Sequence, residues 1–307
     1  MLHPITFSIP EEKIIDTLPT KTKIVSDLIP GKLSTYIYTN EHDYYNEYKK
    51  SLFAITTKKG GWDCMRHYEI LANGCVPLFT DIKKCPVNTM ALFPKELMLK
   101  AHALYSRISP KKIIDLTSEE WADYNTLVTQ LLDYTRSYLT TRKLAEYVLE
   151  KSKHIGVKNI LFLSGYSGPD YLRCVTLHGF KQLFGKQCHD YPKIPHIYKS
   201  TTINYGALYG KGFSYTNLLD SSDHDDSLDS LDILENKIKS KSFNLIIYGS
   251  YHDHTIHGKH YHGMPLFDLI NQIYKPNEII LLCGEDLHPC SHESYVSKGY
   301  TVFVREL

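Results

Sequence analysis

Two apolar, β-prone runs, Leu52-Phe53-Ala54-Ile55-Thr56-Thr57 and Cys75-Val76-Pro77-Leu78-Phe79, are separated by just seventeen residues, and this spacing constrains the chain more than any other feature. The first run stops at Lys58-Lys59-Gly60-Gly61, where glycine permits backbone angles closed to other residues, so a strand ends there in a tight loop. From Asp63 to Asn73 the apolar residues Met65, Tyr68, Ile70, Leu71 and Ala72 recur at helical spacing, and Gly74 closes the helix. The second run is continuous, as in a parallel strand buried on both faces, and Pro77 within it implies an edge or strand-end position. The unit is strand, loop, helix, strand.

In open parallel sheets ligands sit outside the carboxyl ends of the strands, where glycine loops and a helix N-terminus turn backbone N–H groups toward phosphate oxygens. Lys58, Lys59 and Arg66 add positive charge around Gly60, Gly61 and Trp62, which together form a candidate substrate-binding set. Glu69, one to two turns into the helix, is positioned to accept hydrogen bonds from ribose hydroxyls. Arg66 and Glu69 are three residues apart, so they equally read as an ion pair on the helix surface.

The run Gly61-Trp62, Arg66, Glu69 and Gly74-Cys75-Val76-Pro77, with Asp81 beyond it, resembles the donor-binding half of exostosin-type glycosyltransferases. It is also similar to glycosyltransferases encoded by large DNA viruses of algae. The likeness covers roughly residues 33–100. It implies two Rossmann-like lobes facing a cleft, the GT-B fold, with a nucleoside diphosphate sugar held mainly by the half that carries the motif. Glu69 would contact the donor ribose, the Lys58–Trp62 loop would lie near the diphosphate, and Pro77 would belong to the donor site. The resemblance implies no obligatory metal or other cofactor beyond the sugar nucleotide co-substrate. Exostosin-like enzymes carry this motif in the C-terminal half, whereas here it lies near the N-terminus. Either the lobes are swapped in order or the rest of the chain is a different domain.

At 307 residues, 42% hydrophobic and 22% charged, the chain suffices for two medium α/β domains. The division falls near Gly156, giving a donor lobe over residues 1–155 and an acceptor or catalytic lobe over 156–307. In the first, Ile5–Ile9, Lys23–Val25 and Thr35–Tyr38 read as short strands, and Asn40–Asp43 as a cap for a helix to about Lys50. Thr89–His102 reads as a helix interrupted by Pro94. Thr117-Ser118-Glu119-Glu120 starts one long helix or two abutting ones reaching about Lys153. Tyr44, Tyr45 and Tyr48 fit either core packing or a sugar-stacking surface.

The second half opens with a strand, Asn159–Leu163, then a loop with Gly165 and Gly168, and a helix from Tyr171. Asp170 and Arg173 are candidates for acceptor contact or charge stabilisation there, and Asp170 equally suits a helix N-terminus. The strand Phe243–Tyr248 leads into Gly249-Ser250-Tyr251-His252-Asp253-His254, followed by His257, His260 and His262. Transfer to a hydroxyl needs a base, for which His252 and Asp253 are the first candidates and Asp170 the alternate. The same cluster also reads as a metal-dependent hydrolase site around His252, His254 and His257, or as surface histidines.

A net charge of +1 argues against nucleic acid as partner. The seven cysteines form no CxxC pair and fit a reducing compartment. No apolar stretch reaches the roughly 20 residues that span a bilayer, and no basic-then-apolar leader opens the chain. The expectation is a cytoplasmic glycosyltransferase, in the host cytoplasm for a viral protein, moving a sugar from its nucleotide to a glycan or glycoprotein hydroxyl. The other reading from outside enzymology is a nucleotide- or carbohydrate-binding protein without catalysis.

Overall fold

The computed structural model describes residues 1–166, 168–256, 259–286 and 292–307, with the backbone alone for 254–256, 259 and 261. The chain is α/β, with one parallel sheet of six strands and one of three. The first strand, β1 (Leu2–Pro4), belongs to the larger sheet, and the chain then leaves it. The smaller sheet is built from β2 (Lys23–Val25), helix α1 (Glu41–Lys50), β3 (Ser51–Thr56), α2 (Met65–Ala72) and β4 (Val76–Phe79). Its order is β2-β3-β4, so β4 is an edge strand and tolerates the missing N–H of Pro77. The crossover between β3 and β4 is α2, as their separation demands.

Helix starts follow their caps. Asn40 Oδ1 accepts the Asp43 N–H at 2.9 Å ahead of α1. Helix α3 (Lys95–Ile108) begins after Pro94 rather than at Thr89, because proline fits a helix start far better than an interior. Thr117 and Glu120 form a reciprocal capping box that opens α4 (Ser118–Tyr138). Thr140 Oγ1 then caps a separate helix, α5 (Thr141–Lys151), so the long helical stretch is two helices. Thr35–Tyr38 is not a strand: Thr35 Oγ1 donates to the Lys32 carbonyl at 2.7 Å and accepts the Ile29 N–H, closing a local turn. The opening strand is Leu2–Pro4 instead of Ile5–Ile9, with Ile5 N–H still donating to Val304 at 3.0 Å.

The larger sheet comes mostly from the second half: β5 (Ile160–Ser164), α6 (Tyr171–Phe184), β6 (Cys188–Tyr191), α7 (Leu231–Lys239), β7 (Leu245–Ser250), a two-stranded ribbon β8 (His254–Ile256) and β9 (Lys259–Tyr261), α8 (Phe267–Ile273), β10 (Ile279–Cys283), α9 (His292–Ser297) and β11 (Thr301–Val304). The strand order is β6-β5-β7-β10-β11-β1, with every neighbour parallel. Leaving aside β1, this is the doubly wound 2-1-3-4-5 arrangement, whose order reverses between β5 and β7. Alternate strand residues enter two different cores, which is why the runs are continuously apolar. Ile160, Phe162, Ile247 and Leu282 face α5 and α6, and Leu161, Leu163, Ile246 and Leu281 face α7 and α8. Helices α5 and α6 cross so closely that a Cβ on Gly179 would lie 2.0 Å from the Thr141 carbonyl oxygen.

The core on the α5–α6 face runs on without interruption into the smaller sheet through Leu52, Phe53, Val76 and Phe79. Tyr44, Tyr45 and Tyr48 are buried with Ala54, Ile70 and Cys75 on that sheet's other side, so they pack. Both β1 and α5 thus lie with the larger sheet although they precede residue 156. Cys283 is disulfide-bonded, and Cys64, Cys75, Cys85, Cys174 and Cys188 are free thiols. Among the described residues no helix is long and apolar enough to cross a membrane.

Candidate functional site

The loop after β3 runs directly against the carboxyl ends of β10 and β11. A Cβ on Gly60 would lie 2.4 Å from Asp286 Oδ2, and one on Gly61 would lie 2.4 Å from Glu306 Oε1. A side chain at either glycine would therefore push the Asp286 or Glu306 carboxylate out of its present place. Glu306 accepts the backbone N–H groups of Trp62 at 3.0 Å and Asp63 at 2.9 Å, immediately before α2. Backbone amides of the loop that leads into α2 thus already hold a carboxylate.

Arg305 anchors this contact. Its guanidinium is buried over the Phe7 ring at 4.5 Å and donates to the Asp63 carbonyl at 2.6 Å, to the Gly284 carbonyl at 3.0 Å, to Glu306 at 2.8 Å and to Asp286. The Asp63 side chain is also buried, accepting from Phe7 N–H at 2.7 Å and Tyr68 O–H at 2.8 Å. Burial pushes its pKa up to about 6, against the pull of the Arg305 charge. His67, enclosed between Thr56 Oγ1 and the Trp62 carbonyl, is lowered to about 3 by burial and is neutral. It fixes the loop by hydrogen bonds without adding charge.

Lys59 and Arg66 converge on one phenol. Lys59 Nζ lies 3.2 Å and Arg66 Nη2 3.0 Å from Tyr36 Oη, with both cations over its ring. Lys58 Nζ stands 5.8 Å above the Trp62 ring. Glu69 points elsewhere: it is buried, accepting Tyr44 O–H at 2.7 Å and Ser214 Oγ–H at 2.5 Å, while Tyr45 bonds Ser214 in turn. Burial raises its pKa despite those donors. Arg66 and Glu69 form no ion pair among the described residues, because the helix turns them to different partners. Ser214 lies on the segment after β6, so Glu69 sits at the junction between the parts built around the two sheets. A cavity of about 230 Å³, lined by Lys13, Glu41, Tyr205, Lys211, Phe213 and Asn217, lies on the Ser214 segment and includes no residue of the loop or of α2. Pro77 is buried in β4 opposite Ala54, away from these groups.

The second group of candidates gathers where the large sheet reverses its order. Asp170 is the N-cap of α6, with Oδ1 accepting the Arg173 N–H at 3.0 Å. Arg173 is wholly buried and donates to the Tyr166 and Gly168 carbonyls, so it braces the loop after β5. Gly165 in that loop touches the backbone of His262 and Gly263. His252 Nε2 lies 3.0 Å from Cys283 Sγ. Asp253 instead accepts the Gly263 N–H at 2.8 Å and faces His260 at 3.3 Å and His262 at 3.8 Å. That backbone hydrogen bond holds the Asp253 pKa below the usual carboxylate range. His252 and Asp253, neighbours in sequence, thus serve different clusters. The His254 side chain, His257, Leu287 and His288 lie outside the described residues.

Sequence reasoning missed Arg305, Glu306 and Ser214. A charged pair after an apolar run reads as a solvated strand end, and only the topology brings it to the glycine loop. No family model, curated protein or solved structure matches the chain. Fold and site define an α/β protein of two parallel sheets with an anion-holding glycine loop at their junction.

Proposed function

We propose that this protein is a glycosyltransferase that binds a nucleoside diphosphate sugar at the Lys58–Glu69 loop and helix and passes the sugar to a hydroxyl of a glycan or glycoprotein. One observation carries the reading: two backbone N–H groups in the loop leading into α2, just after Gly60 and Gly61, hold the carboxylate of Glu306. A diphosphate has the same need for converging donors, and takes the place of that carboxylate. Lys58, Lys59 and Arg66 lie around the loop and stabilise charge on the departing diphosphate. Glu69 serves the ribose once Ser214 withdraws. Glu69 is covered by Ser214 and Tyr44, so the ribose reaches it only as the segment around Ser214 opens. Lys211, Ser214 and Asn217 have left-handed φ of 57°, 72° and 57°, a cost that opening relieves.

His252 is the acceptor base in this scheme. Asp253 is engaged by the Gly263 N–H and His260, and Asp170 is engaged as a cap. The test is a thermal-shift screen of UDP, GDP, CMP and their sugars, followed by donor hydrolysis. Stabilisation by one nucleoside diphosphate, lost in Gly61→Ala, is the expected result. No stabilisation by any nucleotide defeats the proposal, and binding without turnover leaves a binding protein in its place.

A further inference from the structure

The ribbon β8–β9 rises from the sheet's reversal point and brings three metal-ligating side chains together at its base. His260 and His262 are two residues apart in extended backbone, which puts their side chains on one side of the strand. Their rings meet edge to face, with centroids 4.6 Å apart. Asp253 comes from the other arm, and its Oδ2 lies 3.3 Å from His260 Nε2 and 3.8 Å from His262 Nδ1. One ligand atom from each of the three lies within 4.8 Å of the other two.

We propose that Asp253, His260 and His262 form a binding site for one borderline divalent transition-metal ion, of which zinc is the representative. Bonds of about 2.0–2.2 Å to one ion place neighbouring ligand atoms about 3–3.5 Å apart, which the Asp253–His260 separation of 3.3 Å meets and the Asp253–His262 separation of 3.8 Å approaches. Two imidazoles and a carboxylate are the donor set such ions favour over magnesium or calcium. The carboxylate is oriented from behind: Gly263 N–H bonds Oδ1 at 2.8 Å and leaves Oδ2 for the ion. Three protein ligands leave room for water or a ligand oxygen. All three side chains are solvent-accessible, so the ion reaches them without unfolding. The site uses none of the groups assigned to the donor loop and does not depend on the transferase reading.

The test is titration of the chelator-treated full-length chain with Co²⁺, read by visible absorption, with zinc competition. One Co²⁺ per chain is expected, displaced by zinc, with affinity falling in His260→Ala and Asp253→Asn by at least the roughly 10–100-fold that loss of an outer-shell partner costs. The double variant His260→Ala/His262→Ala should lose the spectrum and zinc's rise in melting temperature. His42→Ala, an exposed histidine beside Asp43, and Asp226→Asn/Asp229→Asn, the exposed carboxylates beside His224, should keep both. Unchanged Co²⁺ binding in the double histidine variant, or its loss in Asp226→Asn/Asp229→Asn alone, overturns the proposal. The metal-free variants should melt with the parent, which separates loss of ligands from loss of fold.

Discussion

Replacing Glu306 with alanine should weaken the folded chain and strengthen nucleotide binding at once. The carboxylate accepts two backbone N–H groups, at 3.0 and 2.9 Å, and pairs with Arg305 at 2.8 Å, with its side chain 14% exposed. Hydrogen bonds to a charged group contribute about 1.5–3 kcal/mol each, and a position near the rim reduces that, so about 2 kcal/mol is a fair net value. At roughly 2.1 cal/mol/K per residue of unfolding entropy this lowers the melting temperature by about 3 °C. A diphosphate that must displace Glu306 is handicapped by the same energy, and removing the competitor tightens its binding about 30-fold. Calorimetric titration with the nucleoside diphosphate of largest thermal shift reads this directly, and Glu306→Gln, which keeps one acceptor, should fall between. A Glu306→Ala protein that melts lower yet binds the nucleotide no more tightly would refute the reasoning, because the loop would then be a structural joint only.

Four further outcomes follow from the same geometry. Glu69→Ala should weaken nucleoside diphosphate binding at least tenfold by calorimetry, since it removes the proposed ribose acceptor, and unchanged affinity would exclude that role. Gly179→Ala should destabilise by about 1–3 kcal/mol in denaturant unfolding, because its methyl meets the Thr141 carbonyl oxygen, which can yield only if the α5–α6 crossing widens. The third concerns the buried set Lys181, Asp190 and His224, with Lys181 Nζ and His224 Nδ1 at 2.7 and 3.1 Å from Asp190 Oδ1. Burial pulls the His224 pKa down, but hydrogen bonds and charge from Asp190 and Asp229 outweigh it, and the net shift is upward. Asp190 is shifted down, its own burial outweighed by His224 and Lys181. The His224 contribution is therefore complete below its unfolded pKa near 6.5 and lost as pH rises through the higher folded value, whereas that of Asp190 is present above about 3.9 and lost as pH falls. Urea midpoints across pH should decline above neutrality in the parent but not in His224→Gln. Lys181→Met alone should cost about 1–3 kcal/mol, because the buried Asp190 carboxylate loses one charged partner but keeps His224 and the Tyr198 hydroxyl.

What the sequence revealed was local. The β3–loop–α2–β4 unit, the edge position of Pro77 and the caps at Asn40 and Thr117 are each settled within a few residues of themselves, and the structure bears them out. The turn at Thr35 escaped because a β-prone Thr-Tyr-Ile-Tyr run outweighed a side-chain bond to backbone that propensity does not register. Three-residue β1 carries too little pattern to announce its partner, Leu2 pairing with Val302 across nearly the whole chain. The same distance hid Arg305 and Glu306 from Asp63. At His252-Asp253 the residue types marked a chemical region, but extended backbone sends adjacent side chains opposite ways, and adjacency in sequence misjudged which groups cooperate.

Because β1 caps the edge of the larger sheet before the chain departs to build the smaller one, no single cut through a linker divides this molecule cleanly. A fragment starting at residue 156 would leave β11 with an open, apolar rim and an unsupported Arg305, inviting self-association. Anyone seeking an autonomous half must graft those first residues back on.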